Sequence, residues 1–333
     1  MRTLLTPPRV LLIAPRFFGY DREISDALRR NGYQVDLLPD RPFDNPIAKA
    51  VMRLRPELGG HHLSQAFFER RIEELGRNTY AIILVIQGEG VTARTLQRLR
   101  AMYPLARLVY YTWDSVDNKP FFRRNLPLYD CCFTFDPIDA LKYDMKFRPL
   151  FFSSGFDILC QEDFDYDVSF IGTVHSDRFK IVQSLIAQVP TGTQTFVYFY
   201  MQARWMYHFR RYCTRTIVGS RIDDFNYEPL SKEIVAAKFF VSRAVIDIEH
   251  VRQRGATMRT MEALGSRRKL ISTNAALREY DFYHPQNIHI IDRNAPRLDK
   301  EFLLSPYNPV SDEVRQKYSI VRWIKEVCGD GIL

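Results

Sequence analysis

The feature that most constrains the fold is a set of short, unbroken apolar runs, each followed by a stretch of helical character. In the first half these runs are Arg9–Ala14 (RVLLIA), Tyr80–Ile86 (YAIILVI) and Arg107–Thr112 (RLVYYT). Continuous hydrophobicity over so few residues marks strands buried on both faces, the usual state of a parallel sheet covered by helices. Between the first two runs lie a helix expected over Asp21–Asn31, ended by Gly32, and a strand over Tyr33–Leu38, closed by Pro39 and Asp40. That is a βαβ opening. The loop after the first strand lacks G-x-G-x-x-G, so a dinucleotide cofactor is not indicated.

The alternation continues. Helices are expected over Pro46–Leu58, His61–Arg77 and Thr92–Tyr103, a strand over Tyr129–Thr134, a helix near Pro137–Tyr143 and a strand over Arg148–Phe152. A polar, acidic connector, Ser153–Asp165, then interrupts the pattern, and strands resume at Tyr166–Ile171 and Thr195–Tyr200. Further on we expect a basic, aromatic helix over Ala203–Tyr212, a helix Leu230–Ala237 and a strand Lys238–Ser242. A strand Asn287–Ile291, helices near Asp299–Leu304 and Asp312–Tyr318, and a terminal helix Ile320–Val327 complete the reading. The resulting division is residues 1–155, residues 156–318, and a terminal segment, residues 319–333, that crosses back to the first domain. Each half is α/β and Rossmann-like, and the two parallel sheets are expected to face a cleft, where small-molecule sites are common.

Composition narrows the function classes. The net charge of +8 is uneven: residues 1–155 hold 23 Lys+Arg against 17 Asp+Glu, and residues 156–333 hold 24 against 22. A basic first half suits an anionic membrane surface or a phosphorylated acceptor. No helix-turn-helix, zinc-finger or RNP-type pattern accompanies it, so nucleic acid is not the expected partner. No apolar run approaches the roughly 20 residues of a membrane span. Two prolines interrupt MRTLLTPPRVLLIAP, which reads as a first strand rather than a signal peptide. The five cysteines, Cys131 and Cys132 adjacent, have neither metal nor disulfide spacing, as expected of reduced cytoplasmic thiols.

The segment with the most chemistry is Arg254–Asn274, RGATMRTMEALGSRRKLISTN. Thr257 is a suitable N-cap for a helix closed by Gly265, and Lys269–Thr273 reads as a buried strand. The N-terminus of such a helix offers unpaired amides and a positive dipole end to a phosphate. Arg259 in the first turn opposes the dipole and makes sense if an anion joins it. Glu262, one turn beyond Met258, would accept two ribose hydroxyls. The plainer reading is an amphipathic helix with Met258, Met261 and Leu264 packed inward.

Three stretches resemble GT-B fold glycosyltransferases, in particular bacterial capsule, exopolysaccharide and lipopolysaccharide enzymes of the spore-maturation-protein-like group. They are DYDVSFIGTVHSDR (Asp165–Arg178), GATMRTMEALGSRRKLISTN (Gly255–Asn274) and YYTWDSVDN (Tyr110–Asn118). The resemblance implies a donor-binding second domain in which Glu262 holds the ribose. Gly255, Thr257, Met258 and Arg259 would hold the diphosphate, with Gly172 and Thr173 passing close to it. Arg178, Arg243 and His250 are further candidates for that charge, His250 and Arg178 being equally readable as ordinary loop and helix residues. His175 lies in the same loop. His61 and His62 read as a solvated helix start.

Retaining members of the fold often carry a second glutamate eight residues before the ribose glutamate, where this chain has Arg254. That departure favours inversion, which needs a general base from the first domain. Asp114, after a strand and beside Trp113, and Glu89, between two glycines, are the candidates, with Trp113 stacking on an acceptor sugar. Each also reads as a loop carboxylate. No cofactor and no metal is expected, Asp223–Asp224 reading as a turn.

The expected activity is transfer of a sugar from a nucleotide-diphosphate sugar to a lipid-linked or oligosaccharide acceptor of a growing surface glycan. It would take place in the cytoplasm, with peripheral contact to the anionic inner membrane through surfaces such as Ala48–Arg55 and Phe121–Arg124. The rivals are a sugar-nucleotide epimerase of the same fold and a non-catalytic nucleotide-sugar-binding subunit.

Overall fold

A computed structural model describes residues 7–42, 61–116, 120–157, 163–251 and 253–329. The chain divides into two units: Met1–Pro149 with Ile320–Leu333, and Leu150–Ser319. The expected helix at Pro46–Leu58, with Ala48–Arg55 inside it, and residues Asp117 and Asn118 lie outside the described residues. So do the side chains of His61, His62 and Phe121.

The first unit carries β1 (Arg9–Ala14), β2 (Gln34–Pro39), β3 (Ile82–Ile86), β4 (Arg107–Thr112), β5 (Cys131–Thr134) and the short β6 (Lys146–Phe147). They form one parallel sheet in the order β2-β1-β3-β4-β5-β6. Its helices are α1 (Tyr20–Arg30), α2 (His61–Leu75), α3 (Ala93–Met102) and α4 (Pro137–Lys142). Every residue of β3 is buried, as are all but the first of β1 and β4, which accounts for the unbroken apolar runs.

The second unit carries β7 (Tyr166–Thr173), β8 (Thr195–Tyr200), β9 (Ser242–Asp247), β10 (Lys269–Ser272) and β11 (Ile288–Ile290). Its sheet is also parallel, in the order β11-β10-β9-β7-β8. Its helices are α5 (Arg178–Ile186), α6 (Arg204–His208), α7 (Lys232–Phe240), α8 (Met258–Gly265), α9 (Lys300–Leu304) and α10 (Asp312–Lys317). Numbered within its own unit, each sheet begins 2-1-3-4-5, so each has its order reversal between the first and third strands. Ligands of such sheets bind outside the carboxyl ends of the strands at that reversal.

Three expectations are corrected here. The strand expected over Lys238–Ser242 is instead the end of α7 and its C-cap Val241, with Ala236 and Phe239 buried, and the strand begins only at Ser242. Leu150 already belongs to the second unit: Phe152 and Phe156 are buried there, Phe156 at 5.8 Å from the Phe239 ring, so the connector Ser153–Asp165 is not the border. Finally, Gly265 does not end α8 as a left-handed cap. It is the last helical residue, Ser266 is the C-cap, and Arg267 takes the positive φ of 52°.

A terminal helix, α11 (Ile320–Cys328), belongs to the first unit. Trp323 is fully buried and meets Tyr111 of β4 edge to face at 4.7 Å, Glu326 pairs with Arg148 Nε at 2.6 Å, and the Cys328 carbonyl accepts from Arg107.

Gly265 is held by packing rather than by backbone geometry. A Cβ there would stand 2.6 Å from Phe152 Cγ. Gly265→Ala should therefore cost about 1–3 kcal/mol through overpacking. Urea unfolding would check this, and adding Phe152→Leu should cost less than the two single changes together, since the residues touch.

Candidate functional site

At the reversal of the second sheet, β7 and β9 pair from Tyr166↔Ser242 to Ser169↔Val245 and then separate, while β7 continues beside β8 to Thr173. Arg178, the first residue of α5, spans the gap. Its Nε and Nη2 donate to the Ile248 carbonyl and its Nη1 donates to the Thr173 carbonyl at 2.9 Å. Burial pulls its pKa down to about 10, with Asp247 opposing. Gly172 is required at this point: a Cβ would lie 2.9 Å from Phe170 Cζ and 3.2 Å from Arg178 Nη1. Three of the five guanidinium N–H groups of Arg178 are thus taken by backbone carbonyls, and its charge stands among those of Asp247, Glu249, Arg259 and Arg293.

Helix α8 starts at the end of β9. Thr257 is its N-cap, accepting from the Thr260 amide at 3.1 Å, and both Thr257 and Thr260 hydroxyls donate to Asp247 Oδ2, at 2.6 and 2.8 Å. A carboxylate therefore already stands at the positive end of the helix. The preceding loop is also engaged. The Arg254 and Gly255 carbonyls accept from Asn274 Nδ2, and the Ala256 amide donates to the Tyr280 hydroxyl at 3.1 Å. The amides with no intrahelical acceptor are those of the first turn, which begins at Met258 and Arg259.

Glu262 is buried at 4% exposure on the next turn, with Arg259 Nε 3.7 Å from its Oε2. Arg259 also lies over the Phe239 ring at 5.1 Å, and its Nη1 is buried without a hydrogen-bond partner among the described residues. A buried guanidinium donor left unsatisfied is costly and suits an incoming anion.

Around this helix stand groups that spacing alone did not single out. Arg293, after β11, donates to Asp177 Oδ1 at 2.7 Å, to Glu249 Oε1 at 2.6 Å and to Thr273 Oγ1 at 3.1 Å, while Thr273 donates to Glu249 Oε2 at 2.5 Å. The strand ends of β9, β10 and β11 and the start of α5 are thereby joined. A groove of about 590 Å³ borders Arg293 and is lined also by Lys180, Ser184, Gln188, Asn294 and Arg297. Arg210 sits in a π-helical turn, Phe209–Cys213, with its Nε buried and unpartnered among the described residues. The signal for Asp247 and Glu249 was present in the alternation of Ser242–His250; Arg210 and Arg293 gave none, and the partners of Arg293, namely Asp177, Glu249 and Thr273, are distant from it in sequence.

His175 and His250 face each other at 5.8 Å between ring centroids, and His250 is exposed. His175 accepts or donates at Ser176 Oγ at 3.0 Å. Arg243 is elsewhere. It lies at the amino end of β9, pairs with Asp167 at 3.4 Å and covers the Phe164 ring, so the expectation that it joins the phosphate-binding group is corrected.

The first unit has its own cluster at the strand ends. Gln87 donates to Asp114 Oδ2 at 2.9 Å, and Thr112 Oγ1 donates to the Asp114 carbonyl at 2.7 Å. Trp113 is half-buried beside Tyr20, 6.3 Å between rings. Glu89 is bound by the Arg41 guanidinium, and its amide donates to Asp40 Oδ2 at 3.2 Å. The flanking glycines are both required: a Cβ on Gly90 would lie 2.6 Å from the Asp40 carbonyl oxygen, and Gly88 takes a φ of 66° with a Cβ position 2.8 Å from Val85 Cγ1. Among the described residues no group of three or more His, Cys, Asp and Glu is placed to hold a metal, and Asp224 caps a short 3-10 turn by accepting from the Arg221 amide.

The fold and its strand-end clusters are those of a doubly wound, two-unit α/β class. No protein-family profile matches the chain, and no curated protein matches it in sequence. Solved structures do. The apo lipopolysaccharide outer core galactosyltransferase WaaB is similar at 12% identity and TM-score 0.53, covering 95% of this chain and 97% of that one. Anabaena HepE in complex with UDP and glucose is similar at 11% identity and TM-score 0.56, covering 96% and 98%. The N-terminal domain of Candida albicans trehalose-6-phosphate phosphatase reaches TM-score 0.57 at 10% identity, covering 98% and 94%. The fold is the GT-B architecture, with two Rossmann-like parallel-sheet units.

Burial, then the charges of Arg178, His250 and Arg210, push the His175 pKa down to about 3. An unfolded histidine titrates near 6.5. Between those values the unfolded chain binds a proton that the folded chain refuses, so stability is full above about pH 6.5 and falls as pH drops toward 3. His175→Gln should flatten that part of the stability–pH curve, and NMR should find the His175 ring neutral at pH 5.

Proposed function

We propose that this protein is a glycosyltransferase that moves a sugar from a nucleotide-diphosphate sugar to a bacterial surface glycan, with inversion and without a metal. The observation that carries the reading is the pairing of buried Glu262 with Arg259 on α8, at the order reversal of the second sheet. Glu262 would accept the ribose hydroxyls. The Met258 and Arg259 amides and the Arg259 side chain would receive the diphosphate, with Gly172 and Thr173 forming the opposite wall. That HepE holds UDP and UDP-glucose on the same fold supports this assignment.

Because Asp247 already stands at the α8 N-terminus, the helix dipole contributes less to anion binding than arginine does. Departure of the nucleoside diphosphate develops negative charge, and preorganised donors aimed at it are the main stabilising device in such sites. Arg259 is that donor here. The proton of the acceptor hydroxyl would go to a carboxylate of the first unit. Asp114 is the preferred base, since it meets the Gln87 amide, a neutral donor, whereas Glu89 is engaged by the Arg41 guanidinium. Trp113 would stack on the acceptor sugar. The acceptor would be a lipid-linked or oligosaccharide glycan at the cytoplasmic face of the inner membrane. No described helix is long and apolar enough to cross a membrane.

Thermal-shift screening against UDP, dTDP, GDP, ADP and CMP and their sugars tests the donor site. One nucleoside diphosphate should raise the melting temperature, and Glu262→Ala should abolish the shift. With that donor and a glycan acceptor, Asp114→Asn should lower kcat by roughly 10²–10⁴-fold while leaving the shift intact. No shift with any nucleotide would defeat the donor assignment. Conversion of the sugar nucleotide without acceptor would favour the epimerase, and a shift without any turnover would favour the binding subunit.

A further inference from the structure

Between β8 and α7 the eighteen residues Arg204–Arg221 contain five arginines and no Asp or Glu. One side of this stretch is fastened to the second unit. Tyr207 and Ile217 are buried in its core, Tyr207 donates to the Ser220 carbonyl at 2.9 Å, and Arg211 donates to both Tyr207 Oη, at 2.7 Å, and that carbonyl. The other side carries Trp205, Phe209 and Tyr212, which are 65%, 51% and 67% exposed. Trp205 lies in α6, and Phe209 and Tyr212 in the π-helical turn that continues it, so the three rings fall within eight consecutive residues. His208 stacks on Tyr212 at 6.3 Å, and Val218 extends the apolar surface at 66% exposure. Arg204, Arg215 and Arg221 are exposed around it, Arg221 with its Nε 3.7 Å from Asp224 Oδ1.

Three large rings held in water on a rigid base are unfavourable unless something covers them. The charge pattern says what. A second copy of the chain meeting this face symmetrically would set arginine against arginine. A bilayer with anionic headgroups accepts both chemistries at once. Trp and Tyr rings prefer the headgroup level, and each Arg near an anionic surface adds to the attraction. The arginine stems also lie well along apolar material while their heads reach phosphate.

We propose that Arg204–Arg221 is a docking surface for an anionic phospholipid membrane, placed on the second unit rather than on the basic first half. It does not depend on the nucleotide-sugar reading. The test is co-sedimentation of the full chain with vesicles of phosphatidylcholine alone or mixed with phosphatidylglycerol, together with Trp205 emission. Binding to the mixed vesicles only, with a blue shift of that emission, is expected. The triple variant Trp205→Ser, Phe209→Ser, Tyr212→Ser should abolish it. The pair Arg215→Asn and Arg221→Ser, placed where short polar residues suit the local backbone, should weaken it at least about tenfold. Melting temperatures and nucleotide shifts should stay as in the parent. The proposal is overturned if mixed vesicles fail to bind, if both variants bind as the parent does, if an RNA oligonucleotide binds and vesicles do not displace it, or if the patch drives self-association that the aromatic variant loses.

Discussion

Much of the second unit depends on how Arg178 closes the opening between β7 and β9. The two strands stop pairing at Ser169 and Val245, and beyond that point the Thr173 and Ile248 carbonyls find their donors in Arg178. A buried carbonyl without a donor is expensive. One guanidinium serves Thr173 and Ile248 together, and its planar fork suits two acceptors on different strands. Gly172 follows from that arrangement, since no side chain fits between Phe170 and the guanidinium. The loop that leads into α5 is therefore fixed before any ligand arrives.

On this base a balanced set of charges is assembled. Asp247 anchors the first turn of α8 through two threonine hydroxyls, and Glu249 holds Arg293 and Thr273. These carboxylates satisfy the cations that build the site, and Arg259 and Arg210 keep buried donors without partners among the described residues. The neutral His175 between Arg178 and His250 keeps one more positive charge out of the cluster.

The strands of the first unit were legible because burial on both faces leaves a continuous apolar run, as in Ile82–Ile86. The boundary between α7 and β9 was not, because Ala237–Val241 is apolar in a helix that buries Ala236 and Phe239 just as it would be in a strand. Thr257 as N-cap could be read from residue type alone, since capping is local. The roles of Arg178, Arg243 and Gly265 could not. An arginine beside a glycine loop looks the same whether it faces a phosphate or a carbonyl, and the contact that requires Gly265 comes from Phe152, distant in sequence. Asp114 and Gln87 fall on the same rim because β3 and β4 are neighbours, which the alternation of elements implied.

The chain leaves the first unit at Pro149 and returns to it only at Ile320. The slot beside Tyr111 that Trp323 fills is consequently open during synthesis of everything in between. At about 5–20 residues per second this interval lasts roughly ten to thirty seconds on the ribosome. The second unit is made within that time, up to Ser319, while the first waits for its last helix. The first unit, begun first, is thus completed only with the last helix, and until then it exposes an aromatic surface that chaperones are suited to shield.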